Sequence, residues 1–234
     1  MKNLVINDEE FGAITVRFNS RARRIIMRLN TNGSLLITAP HRRYLPDVER
    51  FIESSRDRLR TQRIQQKSDM VIFRDGQLIG KHHTLSLLRA DVPSVQSRTS
   101  ESKVLVKYPG WLEAESKEVQ DVVTAAVKKA LRRQAKLLLP LYVADRAKQR
   151  GLGYETVRVN SAKSRWGSCT TNRRISLNLW LLMLPDELID YVVCHELCHL
   201  IHPNHGEEFW QEVASFVPDY LAKRRLLKTY HPLG

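Results

Sequence analysis

The chain has 234 residues, 42% of them hydrophobic, and its 38 Lys+Arg against 25 Asp+Glu leave a formal net charge of +13. That apolar content excludes a disordered chain, three cysteines exclude a disulfide scaffold, and no apolar run reaches the ~18 residues of a membrane span. The charge favours anionic partners, nucleic acid among them, and the N-terminal MKNLVINDEE turns acidic where a signal peptide is apolar, so the expected location is cytoplasmic.

In chain order, Ile14, Val16 and Phe18 alternate with polar residues, as do Ile25, Met27 and Leu29, which predicts half-buried antiparallel strands. Asn32-Gly33 supplies a tight turn and Leu35 and Ile37 begin the strand after it, completing a hairpin. Pro46 suits the start of a helix whose apolar stripe is Val48, Phe51, Ile52, Ser55 and Leu59. Two short strand pairs follow, around 71–79 and 83–106, with the Ser-rich stretch 94–102 expected to be a loop. Pro109-Gly110 marks a domain boundary, giving a β-rich N-terminal domain over 1–109 and a second domain over 110–234.

Beyond it, Val119, Val122, Val123, Ala126, Val127, Ala130 and Leu131 share one stripe of a long helix, which Pro140 should kink or break and Gly151 should stop. Strands are expected at 156–160 and 174–177, joined by a turn-rich segment over 161–172. Pro185 opens a helix that runs to about Ile201 and is apolar nearly all round, so it should be central and buried. Phe209, Val213, Phe216 and Val217 give the spacing of another helix. No internal repeat is evident, and the class is α+β.

The buried helix carries His195-Glu196-Leu197-Cys198-His199. Two histidines four residues apart stand one turn above each other and can bind one zinc ion, while Glu196, about 100° round the helix, reaches the attacking water without being a ligand. With 8 His and 14 Glu in the chain, chance produces this spacing in roughly one or two such sequences per hundred. A hydrolytic zinc needs a third protein ligand. His205 is expected, because Pro203 bends the chain out of the helix and Asn204 and Gly206 tolerate the turn back. His202 competes, but it stands at the fraying helix end and is better placed to donate to a ligand ring. Cys194 and Cys198 are rotated off the metal face, and with Cys169 they read as small core residues.

The runs Ser164-Arg165-Trp166-Gly167-Ser168-Cys169, Ile175-Ser176-Leu177-Asn178, Tyr191 to His199, His202-Pro203-Asn204-His205 and His205-Gly206 followed by Phe209-Trp210 resemble the YgjP-like metal-dependent hydrolase family, which is related to SprT-type zincins. The N-terminal run Ser20 to Arg24 is similar as well. The resemblance implies a zincin-like catalytic domain, zinc held by His195, His199 and His205, and Glu196 as general base. It implies a metallopeptidase acting on polypeptide, with a nucleoside triphosphate pyrophosphatase of the UTP type as the alternative.

Arg165 and Trp166, in a turn near the catalytic helix, can offer a guanidinium and an indole to a substrate, or form a structural corner. Arg17, Arg21, Arg23, Arg24 and Arg28 form the densest positive cluster, read first as the solvated charge of an exposed sheet face and otherwise as a site for phosphates or nucleic acid, and Lys128, Lys129, Arg132, Arg133 and Lys136 lie opposite the apolar stripe of the long helix as solvated charge. A third reading is a nucleic-acid-binding protein with a structural zinc. Glu196 speaks against it, since a structural site uses four ligands and needs no acid beside them.

Overall fold

The computed structural model describes residues 3–30, 34–61 and 71–233; the Asn32-Gly33 turn falls outside them. The chain divides into two compact units, Met1–Val71 and Ile72–Gly234.

The first unit holds β1 (Leu4–Asp8), β2 (Gly12–Phe18), β3 (Ile26–Leu29) and β4 (Leu35–Ala39) in the order β1-β2-β4-β3, followed by α1 (Leu45–Ser54). The β3–β4 hairpin is antiparallel as expected. Because it folds β4 in beside β2, the β2–β4 pair runs parallel, so the sheet is mixed where alternation alone suggested an antiparallel one. Ile14, Val16, Leu35 and Ile37 form the core with Val48 and Ile52 of α1. The helix pauses at Ser55, and helical backbone resumes over residues 56–61, placing Leu59 in the same core.

The second unit repeats this course. Strands β5 (Leu78–Ile79), β6 (His83–Arg89), β7 (Gln96–Thr99) and β8 (Lys103–Tyr108) take the order β5-β6-β8-β7, again with an antiparallel outer pair on each side of a parallel inner pair, and a helix follows. No repeat is visible in the sequence because the strands share only alternation, which any half-buried strand shows. The Ser-rich stretch is not simply a loop: β7 lies inside it, and its polar side chains suit an exposed edge strand.

The helix after β8, α2 (Lys117–Gln149), packs its predicted stripe against this sheet. Pro140 does not break it. The carbonyl that loses a donor belongs to exposed Lys136, where water can satisfy it. Gly151, at φ 62°, ends the helix, with Leu152 N–H donating to the Ala147 carbonyl and Gly151 N–H to that of Lys148.

Two buried glutamines on α2 explain why strands 78–108 belong with the second unit and not with a domain ending at 109. Gln120 accepts from Phe73 N–H at 2.9 Å and donates to the Phe73 carbonyl at 3.0 Å. Gln134 accepts from Lys81 N–H at 2.8 Å and donates to the Ile79 carbonyl at 2.9 Å. Pro109-Gly110 is therefore only the turn between a strand and a helix bonded to the same sheet.

On α2 also rest β9 (Thr156–Asn160), a 3-10 turn (Leu179–Met183) and α3 (Asp186–Cys198), while β10 (Gly167–Cys169) and β11 (Arg174–Asn178) extend the sheet of β9 and lie against α3. The segment expected to be turn-rich thus contributes β10, an edge strand of a sheet ordered β10-β11-β9. α3 stops at Cys198, a turn short of Ile201, and is followed by α4 (Glu207–Phe216) and α5 (Tyr220–Leu227). No described helix is long and apolar enough to cross a membrane.

Candidate metal centre

α3 is buried on most of its surface, as its sequence predicts, and Leu188, Ile189, Val193 and Leu197 anchor it in the core. That anchoring fixes the directions of His195, Glu196 and His199. The helix ends with His202 N–H donating to the Cys198 carbonyl at 2.9 Å, Pro203 prevents continuation, and the chain turns back before α4. The turn brings His205 over the helix. Its Nε2 lies 3.1 Å from His195 Nε2, and ligand nitrogens of His195, His199 and His205 all fall within 4.8 Å of one another.

These distances suit one small cation. Nitrogen bonds of ~2.0–2.1 Å in a tetrahedral arrangement place two ligand atoms somewhat over 3 Å apart. His199 donates from Nδ1 to the backbone carbonyl of His202 at 3.1 Å, leaving Nε2 with its lone pair free. His202 thus serves as an acceptor through its backbone, not as the ring donor expected; its own ring faces Glu208 at 3.7 Å. Burial, and then the neighbouring His199 and His205, push the His195 pKa down to about 3, so the ring is neutral, the form that binds metal. Burial lowers that of His205 too.

Phe209, fully buried on α4, holds the three rings together: it stacks on His199 at 4.5 Å between centroids and meets His195 and His205 edge-on at 4.9 and 4.7 Å. Trp210 stacks on the outer side of His205, Tyr220 stacks on Trp210, and the Arg224 guanidinium lies 4.4 Å from the Trp210 centroid. Spacing marks Phe209 as a core position, but no sequence signal shows that it touches all three histidines.

Glu196 is 5% exposed, its Oε2 is buried without a partner, and burial pushes its pKa up to about 8, with the Arg165 charge pulling the other way. An unpaired carboxyl in that position costs stability. β10 passes directly over it. A Cβ at Gly167 would stand 2.5 Å from Glu196 Oε1 and 2.8 Å from Cδ, so only glycine admits this acid beneath the strand.

The approach to β10 is held by Asn178, wholly buried, which donates from Nδ2 to the carbonyls of Ala162 (2.7 Å) and Arg165 (2.9 Å) and from its backbone to that of Trp166 (2.8 Å). Arg165 is consequently exposed with its charge directed on Glu196, while Trp166 is half-buried against the core. Arg165 is near the acid; Trp166 is chiefly a packing residue. The cysteines are free. Burial raises the Cys194 and Cys198 thiols to about 12, which makes them inert core residues, and Cys169 is raised as well.

Three converging imidazoles beside a buried acid are the equipment of a metal-dependent hydrolase. The model for the YgjP-like metallopeptidase domain matches residues 23–230, and the chain belongs to that family. Two solved structures are similar to it. The metallopeptidase zymogen of Pyrococcus abyssi abylysin shares 22% identity at a TM-score of 0.36, over 39% of this chain and 94% of that one. The metallopeptidase zymogen of Methanocaldococcus jannaschii jannalysin shares 19% at 0.34, over 39% and 97%. No relative was found among curated proteins.

Proposed function

We propose that this chain is a zinc-dependent peptidase in which His195, His199 and His205 hold the ion and Glu196 is the general base. The observation that carries the reading is the convergence of three imidazole nitrogens beside a buried carboxyl with no partner of its own. Three ligands are one short of four, as in hydrolytic zinc sites. When bound, the ion supplies Lewis acidity, polarising the scissile carbonyl and acidifying the water that attacks it. Glu196 takes the proton from that water and returns it to the leaving amine, and burial makes it a stronger base than an exposed glutamate. β10, the open edge of its sheet, accepts an extended polypeptide as an added strand, and Gly167 keeps that edge close to the acid.

The test is Glu196→Gln in the metal-loaded protein. It should keep its metal content and melting temperature and lose roughly 10²–10⁴-fold of its activity on unfolded polypeptide. Activity equal to the parent would refute the assignment.

A second reading rests on Arg165 and Arg224, exposed cations without an ion-pair partner among the described residues, whose charges act on Glu196 and on His195 and His205 respectively. They could neutralise a triphosphate. Pyrophosphate release from a panel of nucleoside triphosphates, without proteolysis, would put this reading first. The structural-zinc reading is disfavoured, because such a site has no use for a costly buried acid.

A further inference from the structure

The two ends of β2 differ sharply in charge. At its start, across the Asp8–Gly12 turn, Arg56 pairs with Asp8 at 3.0 Å and with Glu53 at 2.7 Å, and Arg60 pairs with Glu10 at 2.7 Å and with Asp57 at 2.9 Å. At the other end the chain leaves β2, enters β3 and leaves β4 side by side, because β2 and β4 are parallel and β3 runs against them, with Phe18 beside Ala39 and Ile26 beside Thr38. Every loop there carries arginine: Arg21, Arg23 and Arg24 between β2 and β3, Arg42 and Arg43 after β4, and Arg17 one residue inside the strand end. All six are exposed, and none has an acidic partner among the described residues.

The topology thus gathers cations that the sequence shows as two separate runs. About 20 Å of strand separates them from the neutralised end. Residues 3–61 contain eleven arginines and no lysine, and the planar guanidinium fork matches phosphate oxygens better than an ammonium does.

We propose that this strand-exit end of the first unit binds the phosphate backbone of a double-stranded nucleic acid. A membrane partner would require apolar anchors, and among the described residues 3–61 Val5, on the outer strand β1, is the sole exposed large apolar side chain. A protein partner would require a broad apolar centre to its patch, whereas here Ile25, Tyr44 and Phe51 are half-buried and line only a small cavity that Asp47 shares. Single strands are gripped by stacking on exposed aromatics. Phe18 and Tyr44 are half-buried against the core of this unit, Phe51 is half-buried beside Tyr44 in the same cavity wall, and Arg43 already covers the Tyr44 ring at 5.5 Å. A fixed array of exposed guanidinium groups without stacking platforms suits duplex phosphates, read without regard to sequence.

The experiment is fluorescence anisotropy of a mixed-sequence DNA duplex of about 20 base pairs with the full-length, metal-loaded protein between 50 and 200 mM salt. Affinity should fall steeply with salt. R21Q/R23Q/R24Q should bind at least tenfold more weakly, with a log–log salt slope shallower by about 2.7, and R42Q/R43Q should act in the same direction with a change near 1.8. K128Q/K129Q/K136Q on α2, which removes the same charge as the first variant, should change affinity less than threefold. The proposal is overturned by equal losses in both triple variants, by no binding at 50 mM salt, or by tighter binding to single-stranded DNA, polyglutamate or phosphatidylserine vesicles than to the duplex. Proteolysis by R21Q/R23Q/R24Q should match the parent, so failure here leaves the proposed peptidase site standing.

Discussion

Residues 4–54 and residues 78–149 follow the same path, four strands in the order outer, inner, outer, inner along the chain and then a helix, yet among the described residues the histidine cluster lies beyond the second helix and not the first. The helices differ most. α1 has ten residues and buries Val48 and Ile52 against one sheet, and further fastening comes from the ion pairs of Arg56 and Arg60. α2 has 33 residues, buries a stripe from Val119 to Ala147, and is hydrogen-bonded through Gln120 and Gln134 to the strands before it. That length leaves a second stretch of helix on which β9, the 3-10 turn and α3 can pack. Shared topology therefore does not by itself build the histidine site; a longer helix that can support a further layer does.

Paired substitutions can break this contrast. The largest effect is expected between two glycines. Gly167→Ala sets a methyl group against the Glu196 carboxyl and should cost at least 100-fold in activity at unchanged metal content. Gly12→Ala, at φ 72° with open space around it, should cost only about 1 kcal/mol of stability in the first unit, with activity intact. Kinetics and melting of both variants give the comparison, and an active Gly167→Ala would refute the close approach.

Next come the fastenings. Gln120→Ala leaves the Phe73 N–H and carbonyl buried without partners and should destabilise the second unit by about 2–4 kcal/mol, whereas Arg56→Ala should cost the first about 1 kcal/mol or less. All four tryptophans, Trp111, Trp166, Trp180 and Trp210, lie in the second unit. Denaturation followed by tryptophan fluorescence should therefore register the first change and not the second, while far-UV circular dichroism registers both.

The two units should also respond oppositely to pH when metal is removed. Arg56 holds the Asp8 carboxyl below its ordinary 3.8, so that pair contributes fully above pH 3.8 and its contribution disappears as pH falls through the depressed pKa. Burial raises Glu196 from 4.5 to about 8, so the folded second unit holds a proton that the unfolded chain releases, and its stability falls as pH rises from 4.5 to about 8. Glu196→Gln should flatten the tryptophan-detected dependence across that window. An unchanged slope would remove Glu196 as its cause.

The smallest effect is expected from Arg165→Met. Because Arg165 pulls the Glu196 pKa down, its loss should move the acidic limb of kcat/KM upward in pH with little change at the plateau. A limb that stays in place would leave Arg165 as a corner residue only.

The long helix, the buried helix, the strands expected at 156–160 and 174–177, and the grouping of His195, Glu196, His199 and His205 were legible in the residue order, because periodicity and i,i+4 spacing are local properties of a chain. Pro203 made even the return of His205 legible. The division into units was not legible there, since Gln120 and Gln134 reach partners 47 and 55 residues away. Nor was it legible that β10 is a strand, that Gly167 admits Glu196, that Phe209 touches all three rings, or that arginines from two loops share one end of a sheet. Each of these depends on which distant backbone lies beside which, and residue spacing carries no record of that.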